Sequence, residues 1–114
     1  MSKKILISLF ILLWNTALVH AEDFMNEVAR ANDLYASNNY LQAADSYESL
    51  IERGFNNGHL YYNLGNTYIR LGKIGPAILN YIRAQKLIPR DENLQANLNY
   101  AIQQTRDKIM PPPP

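Results

Sequence analysis

Shifting the sequence by 34 residues against itself, with no gap, sets bulky side chains on bulky ones and small on small. Ala31 falls on Gly65, Leu34 on Tyr68, Tyr40 on Ile74, Ala43 on Ala77, Tyr47 on Tyr81 and Leu50 on Ala84. Self-similarity at such a period marks a repeat architecture, in which each unit buries its apolar face only by stacking on the next. The chain therefore reads as two copies of one supersecondary unit plus a remainder.

Within the second copy, Leu60, Tyr61, Leu64, Tyr68 and Leu71 recur at three- and four-residue steps, which is one stripe of a helix. Gly65 interrupts that stripe. A glycine inside a helix costs about 1 kcal/mol relative to alanine, so a neighbouring helix is expected to approach closely there. Gly72 supplies a left-handed C-cap, and Gly75-Pro76 opens the next helix. Ala77, Tyr81, Ala84 and Leu87 form its buried face and Pro89 stops it.

The first copy follows the same plan. Met25, Val28, Ala31 and Leu34 make one stripe, Ser37-Asn38-Asn39 the turn, and Tyr40, Ala43, Tyr47, Leu50 and Ile51 the second stripe. Gly54 ends that helix and Phe55 packs back over it. Beyond Pro89, Asp91 caps a fifth helix, with Glu92 favoured by the N-terminal dipole. Its inner stripe is Leu94, Leu98, Ala101 and Ile102, and its other face is polar, as in a helix that closes a stack. The expectation is an all-α domain over 22–109, with repeats at 24–57 and 58–91 and a capping helix at 91–109. Repeat stacks usually need about three units, so this one is expected to be marginally stable alone, or to be extended by a partner or by self-association. Met110-Pro111-Pro112-Pro113-Pro114 cannot be helix and reads as a polyproline II tail.

The run Tyr61-x-x-Leu64-Gly65-x-x-Tyr68, with Gly72, Ala77, Tyr81, Ala84 and Pro89, resembles the tetratricopeptide repeat, an aromatic replacing the usual first tryptophan. The first copy is a weaker match, with Arg30 where the second has Leu64. The resemblance implies a right-handed superhelical stack of two helix hairpins plus the capping helix.

The N-terminus has a different character. Lys3 and Lys4 precede an apolar run from Ile5 to Trp14 broken only by Ser8, then Asn15-Thr16-Ala17-Leu18 and Val19-His20-Ala21. These are the basic region, apolar region and small-residue cleavage site of a secretory signal. A spanning helix wants about 20 apolar residues, and this stretch is shorter and interrupted by Asn15 and Thr16. Residues 1–21 are thus expected to be removed and the remainder exported to the periplasm.

Catalytic chemistry finds little material. Without cysteine there is no disulfide, thiolate metal site, thiol nucleophile or lipid attachment at an N-terminal cysteine. Histidine occurs only at His20, inside the signal, and His59, and a single imidazole does not build a zinc site. Ser37, Ser46 and Ser49 lie far in sequence from His59, so no serine triad assembles. Gly65, Gly72 and Gly75 lack phosphate-loop spacing, and Asp91 and Glu92 are accounted for by capping. Removing Lys3 and Lys4 from the 11 Lys and Arg leaves the 10 Asp and Glu in excess by one. Nucleic acid would need a basic face, even with eight tyrosines to stack on bases. The expectation is a protein that is not an enzyme, takes no cofactor, metal or small-molecule substrate, and binds a protein or peptide segment.

In tetratricopeptide folds the first helix of each pair lines a groove. By repeat position, the resemblance assigns that wall to Val28, Asn32 and Tyr35, then Tyr62, Asn63, Asn66, Ile69 and Arg70, then Asn93, Asn97 and Tyr100. Asn32, Tyr35, Tyr62, Asn63, Asn66, Arg70, Asn97 and Tyr100 are the candidate partner-binding residues. Some family members clamp a peptide carboxylate with lysines, an arginine and two asparagines. Asn32 and Asn63 match, whereas the basic positions hold Val28, Asn93 and Asn97. An amide-lined wall suits a neutral extended or helical peptide instead, since asparagine pairs both N–H and C=O.

The segment Gly54-Phe55-x-Asn57-Gly58-x-Leu60-Tyr61-Tyr62-Asn63-Leu64-Gly65-Asn66 is more specific. With Arg70-Leu71-Gly72, Ala77-Ile78-Leu79-x-Tyr81, Asn97-Leu98-x-Tyr100-Ala101 and Asp107-Lys108-Ile109, it resembles the tetratricopeptide component of the Bacteroides-type aerotolerance (Bat) operon over residues 24–109. That resemblance implies an exported scaffold at the inner membrane, beside von Willebrand-type proteins, in an oxidative-stress or envelope role. The alternative is a self-associating structural module without a dedicated peptide ligand.

Overall fold

The computed structural model describes residues 2–109 and Pro113. Apart from Pro113, the expected polyproline tail lies outside the described residues. Five helices follow one another: α1 (Lys3–Ala36), α2 (Tyr40–Glu52), α3 (Gly58–Arg70), α4 (Ile74–Leu87) and α5 (Glu92–Ile109). Among the described residues there is no strand, so the chain is all-α. Each helix packs on its sequence neighbours, and α3 also touches α5.

The turns repeat as faithfully as the stripes. Asn38 and Gly72, 34 positions apart, both take positive φ, 64° and 73°, just past the ends of α1 and α3. Gly54 does so after α2, at 95°. Asn57 caps α3, its Oδ1 accepting the His59 amide at 2.8 Å, and Asp91 accepts the Leu94 amide at 2.9 Å ahead of α5. Those two caps are again one period apart. One period before them stands Asp23, and there the helix does not begin: α1 runs unbroken through the expected boundary at residue 22.

Two apolar clusters make the core. Ala31, Ala43, Ala44, Tyr47, Leu50, Leu60 and Leu64 form the first. Ala77, Tyr81, Ala84, Leu94, Leu98 and Ala101 form the second, and Tyr68 packs against both. Gly65 lies where the stripe reading places it: a Cβ there would stand 2.5 Å from Cε1 of Tyr81. Three expected core residues are displaced. Met25 is 63% exposed, and Phe24 packs instead, its ring 4.3 Å from that of Phe55. Leu87 is 41% exposed while Ile88 joins the second cluster, because Gly58 lets the end of α4 close on α3. Ile102 is left at the edge of its stripe, 37% exposed.

Residues 3–20 contribute nothing to either cluster, and all their side chains are exposed. An 18-residue window of α1 has mean hydropathy 1.7, enough for a signal sequence or a membrane anchor. Projecting from the packed helices, α1 stretches the molecule to 81 Å and raises its radius of gyration to 19.4 Å, against about 13 Å for a compact domain of this length.

One buried polar group stands apart. Asn80, 4% exposed, donates from Nδ2 to the Pro76 carbonyl at 2.8 Å, but its Oδ1 has no partner among the described residues. An unpaired buried acceptor costs about 1–3 kcal/mol. Leucine has nearly the same shape, so Asn80→Leu is expected to raise Tm by about 4 °C or more. A lower Tm in thermal circular dichroism would count against this reading.

Candidate partner-binding wall

The eight candidate residues come from α1, α3 and α5, which are joined along one face by side-chain hydrogen bonds. The Tyr47 hydroxyl of α2 donates to Asn32 Oδ1 at 2.5 Å, and Asn63 Nδ2 reaches the same oxygen at 3.4 Å. One period on, the Tyr81 hydroxyl of α4 donates to Asn66 Oδ1 at 2.5 Å, and Asn97 Nδ2 donates to it at 2.9 Å. Every partner in the second rung is the first rung's partner plus 34. The repeat therefore extends below the backbone to individual hydrogen bonds.

These rungs orient the amides. With both oxygens of Asn32 and Asn66 engaged from within, each Nδ2 is left without a partner among the described residues, as a free two-proton donor. Asn97 also donates to the Tyr62 hydroxyl at 3.2 Å, so Tyr62 and Asn97 bridge α3 and α5. Asn32, Tyr35, Tyr47, Asn63 and Asn66 line one open cavity of about 250 Å³.

Burial sets the protonation of this wall. It pushes the Tyr47 phenol up to about 12, with Tyr35 adding to the shift, and raises Tyr81 further still. Both hydroxyls therefore remain donors through neutral pH. Tyr35 is raised as well, chiefly by burial, while the nearby Arg70 charge opposes the rise.

The remaining candidates separate. Arg70 turns to Tyr40, donating from Nε at 2.9 Å and from Nη2 at 2.6 Å to its hydroxyl. Tyr40 in turn donates to Asn38 Oδ1 at 2.8 Å and meets Tyr35 edge-on, with ring centroids 5.3 Å apart. Arg70 thus ties the end of α3 to the turn before α2 rather than joining the amide rungs. Tyr100 is 56% exposed and forms no part of the network. Val28 packs against the first cluster and Ile69 against the second, so both belong partly to the core.

Tyr47 lines the cavity, whereas sequence reasoning placed it only in the core. The signal for it is the shared 15-residue offset of Asn32–Tyr47 and Asn66–Tyr81. Among the described residues no group of three or more His, Cys, Asp or Glu gathers as for a metal. What fold and wall define together is an all-helical chain with a neutral face of amides and phenols. No protein-family model matches it, and no curated protein matches it either.

Proposed function

We propose that the chain is an exported tetratricopeptide-type scaffold that binds a segment of a partner protein along the wall of α1, α3 and α5. The observation that carries this reading is the duplicated rung, which fixes Asn32 and Asn66 with free N–H groups beside tyrosine rings. Such a surface gives contact area at low entropic cost and offers amide donors to a peptide backbone. The resemblance to the Bat-operon component points to an envelope protein of von Willebrand type as partner, in an aerotolerance complex at the inner membrane.

A photo-crosslinking side chain at position 62 is expected to capture one defined envelope protein in living cells. The same probe at Arg83, exposed on α4, is expected to capture none. Equal capture from both positions would remove the wall as the binding face. The self-associating alternative is supported by the exposed Leu79 and Ile82 of α4. Light scattering across concentration separates the two, since a monomer at every concentration disfavours the alternative.

Export is supported by the register of Asp23. Removal of residues 1–21 would make Asp23 the N-cap of a shortened α1, at the repeat position that Asn57 and Asp91 occupy ahead of α3 and α5. In a chain beginning at Glu22, Asp23→Ala is expected to cost about 1 kcal/mol, read as a fall in Tm. In the full chain, where Asp23 is inside the helix, the same change is expected to be neutral or slightly stabilising. Equal losses in both chains would refute the latent cap.

A further inference from the structure

We propose that the segment held by this wall is a neutral, proline-rich stretch of the partner protein in the polyproline II conformation. The inference rests on the reading of the wall as a peptide groove and adds the class of peptide. Three observations converge on it.

The first is the hydrogen-bond inventory. Asn32 and Asn66 each spend Oδ1 twice inside the protein and keep both Nδ2 protons. At the cavity they line with Tyr35, Tyr47 and Asn63, the four Nδ2 protons of Asn32 and Asn66 face acceptors only at Asn63 Oδ1 and the two phenol oxygens. A proline segment has the complementary inventory, with backbone carbonyls and no N–H to satisfy. An ordinary β-strand ligand would bring as many N–H groups as carbonyls, and its N–H groups would have only those three oxygens to meet.

Spacing is the second. Polyproline II repeats every three residues at a rise of about 3.1 Å, so one face recurs at about 9 Å. Asn32 and Asn66 sit at equivalent repeat positions of α1 and α3, which the Asn63–Asn32 hydrogen bond joins side chain to side chain, and helices lying side by side are about 8–10 Å apart. Carbonyls three residues apart along a proline segment would therefore reach Asn32 and Asn66 in turn.

The third is the lining between them. Tyr35 is a half-buried ring at the cavity, suited to packing against pyrrolidine, as in other aromatic-lined grooves that read this conformation. The one cation nearby, Arg70, is committed to Tyr40, which favours an uncharged ligand. A preformed helix also loses little entropy on docking, which matters for a cavity of only about 250 Å³.

The test is titration of the full chain, in mild detergent, with capped decaproline and with a capped Gly-Ser decamer. Nitrogen-15 spectra resolve the asparagine side-chain amides. Decaproline is expected to shift the Nδ2 signals of Asn32 and Asn66, and the Gly-Ser peptide to leave them in place. Asn32→Asp with Asn66→Asp keeps the oxygens that accept from Tyr47 and Tyr81 and deletes the free donors. That pair of changes is expected to weaken decaproline binding about tenfold or more with circular dichroism unchanged. Undiminished binding by the aspartate variant overturns the proposal, as does equal response to both peptides. Should position 62 still crosslink its envelope partner while decaproline moves neither amide, the groove stands and the proline class falls. Should a chain ending at Ile109 bind decaproline more tightly than the full chain, the occupant is the protein's own tail rather than a partner.

Discussion

Gly65→Leu is expected to unfold the second hairpin, with a loss of about 3 kcal/mol or more and a collapse of the helical circular dichroism signal near physiological temperature. A Cβ at this position meets Tyr81 Cε1 at 2.5 Å, Cδ1 at 2.6 Å and Cγ at 3.2 Å. Those atoms have nowhere to go. Tyr81 is 1% exposed, and its hydroxyl is held by Asn66 at the far end. Any retreat of the ring must break that bond or push into Leu94 and Leu98 across the cluster.

Gly65→Ala is the milder case, and its size is set by two opposed effects. Alanine gains about 1 kcal/mol of helix propensity, while overpacking costs about 1–3 kcal/mol. The first hairpin has Ala31 at the equivalent position, fully buried in the cluster that also holds Tyr47. A hairpin of this kind therefore can open by the roughly 1 Å that separates the 2.5 Å approach to Tyr81 from an ordinary carbon–carbon contact. A net loss of about 1 kcal/mol is expected, measured by urea denaturation. Gly75→Ala is the contrasting case: beyond its chain neighbours and its own helix nothing lies within 4 Å of a Cβ there, so only the restriction Pro76 places on the residue before it opposes the change, and a small effect is expected. If leucine at 65 were tolerated as well as alanine at 75, close packing would not be the reason for this glycine.

The contrast between these glycines shows which parts of the molecule were legible in the residues. A stripe with a glycine in it specifies a close helix contact, and the cap at Asp91 specifies a helix start, because both depend on local chemistry. The outer turns were harder. Phe24 rather than Met25 packs inward, and Ile88 rather than Leu87, because at a helix end the neighbouring hairpin selects which residue is covered. The start of α1 was not legible at all. Asp23 carries the cap signal, yet the apolar residues before it are good helix formers and the helix continues through them. Of the candidate wall, position within the repeat singled out Asn32, Asn63, Asn66 and Asn97, which side-chain hydrogen bonds join, but not what each amide does. Tyr47 was hidden because one side chain belongs to both core and cavity, its ring in the first cluster and its hydroxyl on Asn32.

That dual role makes the two rung tyrosines the place where alkali and mutation should converge. Tyr47→Phe with Tyr81→Phe is expected to cost about 2 kcal/mol at neutral pH, about one for each buried hydrogen bond, with a fall in Tm of about 10 °C. Each loss is limited because Asn63 and Asn97 continue to donate to the asparagine oxygens. The pH dependence follows from the same groups. Burial holds Tyr47 at about 12 and raises Tyr81 likewise, above the value of 10.0 for a free phenol. Between pH 10 and 12 the unfolded chain gives up these protons before the folded one does, so stability falls as pH rises through that window and is intact below it. A phenolate facing an amide oxygen also loses the rung itself. Wild-type Tm is therefore expected to stay level up to about pH 9 and then drop, with the double phenylalanine variant starting lower but falling less steeply. Phenolate absorbance followed in parallel assigns the protons. Parallel Tm curves for the two proteins from neutral pH to pH 12 would show that the rungs do not carry the alkaline transition.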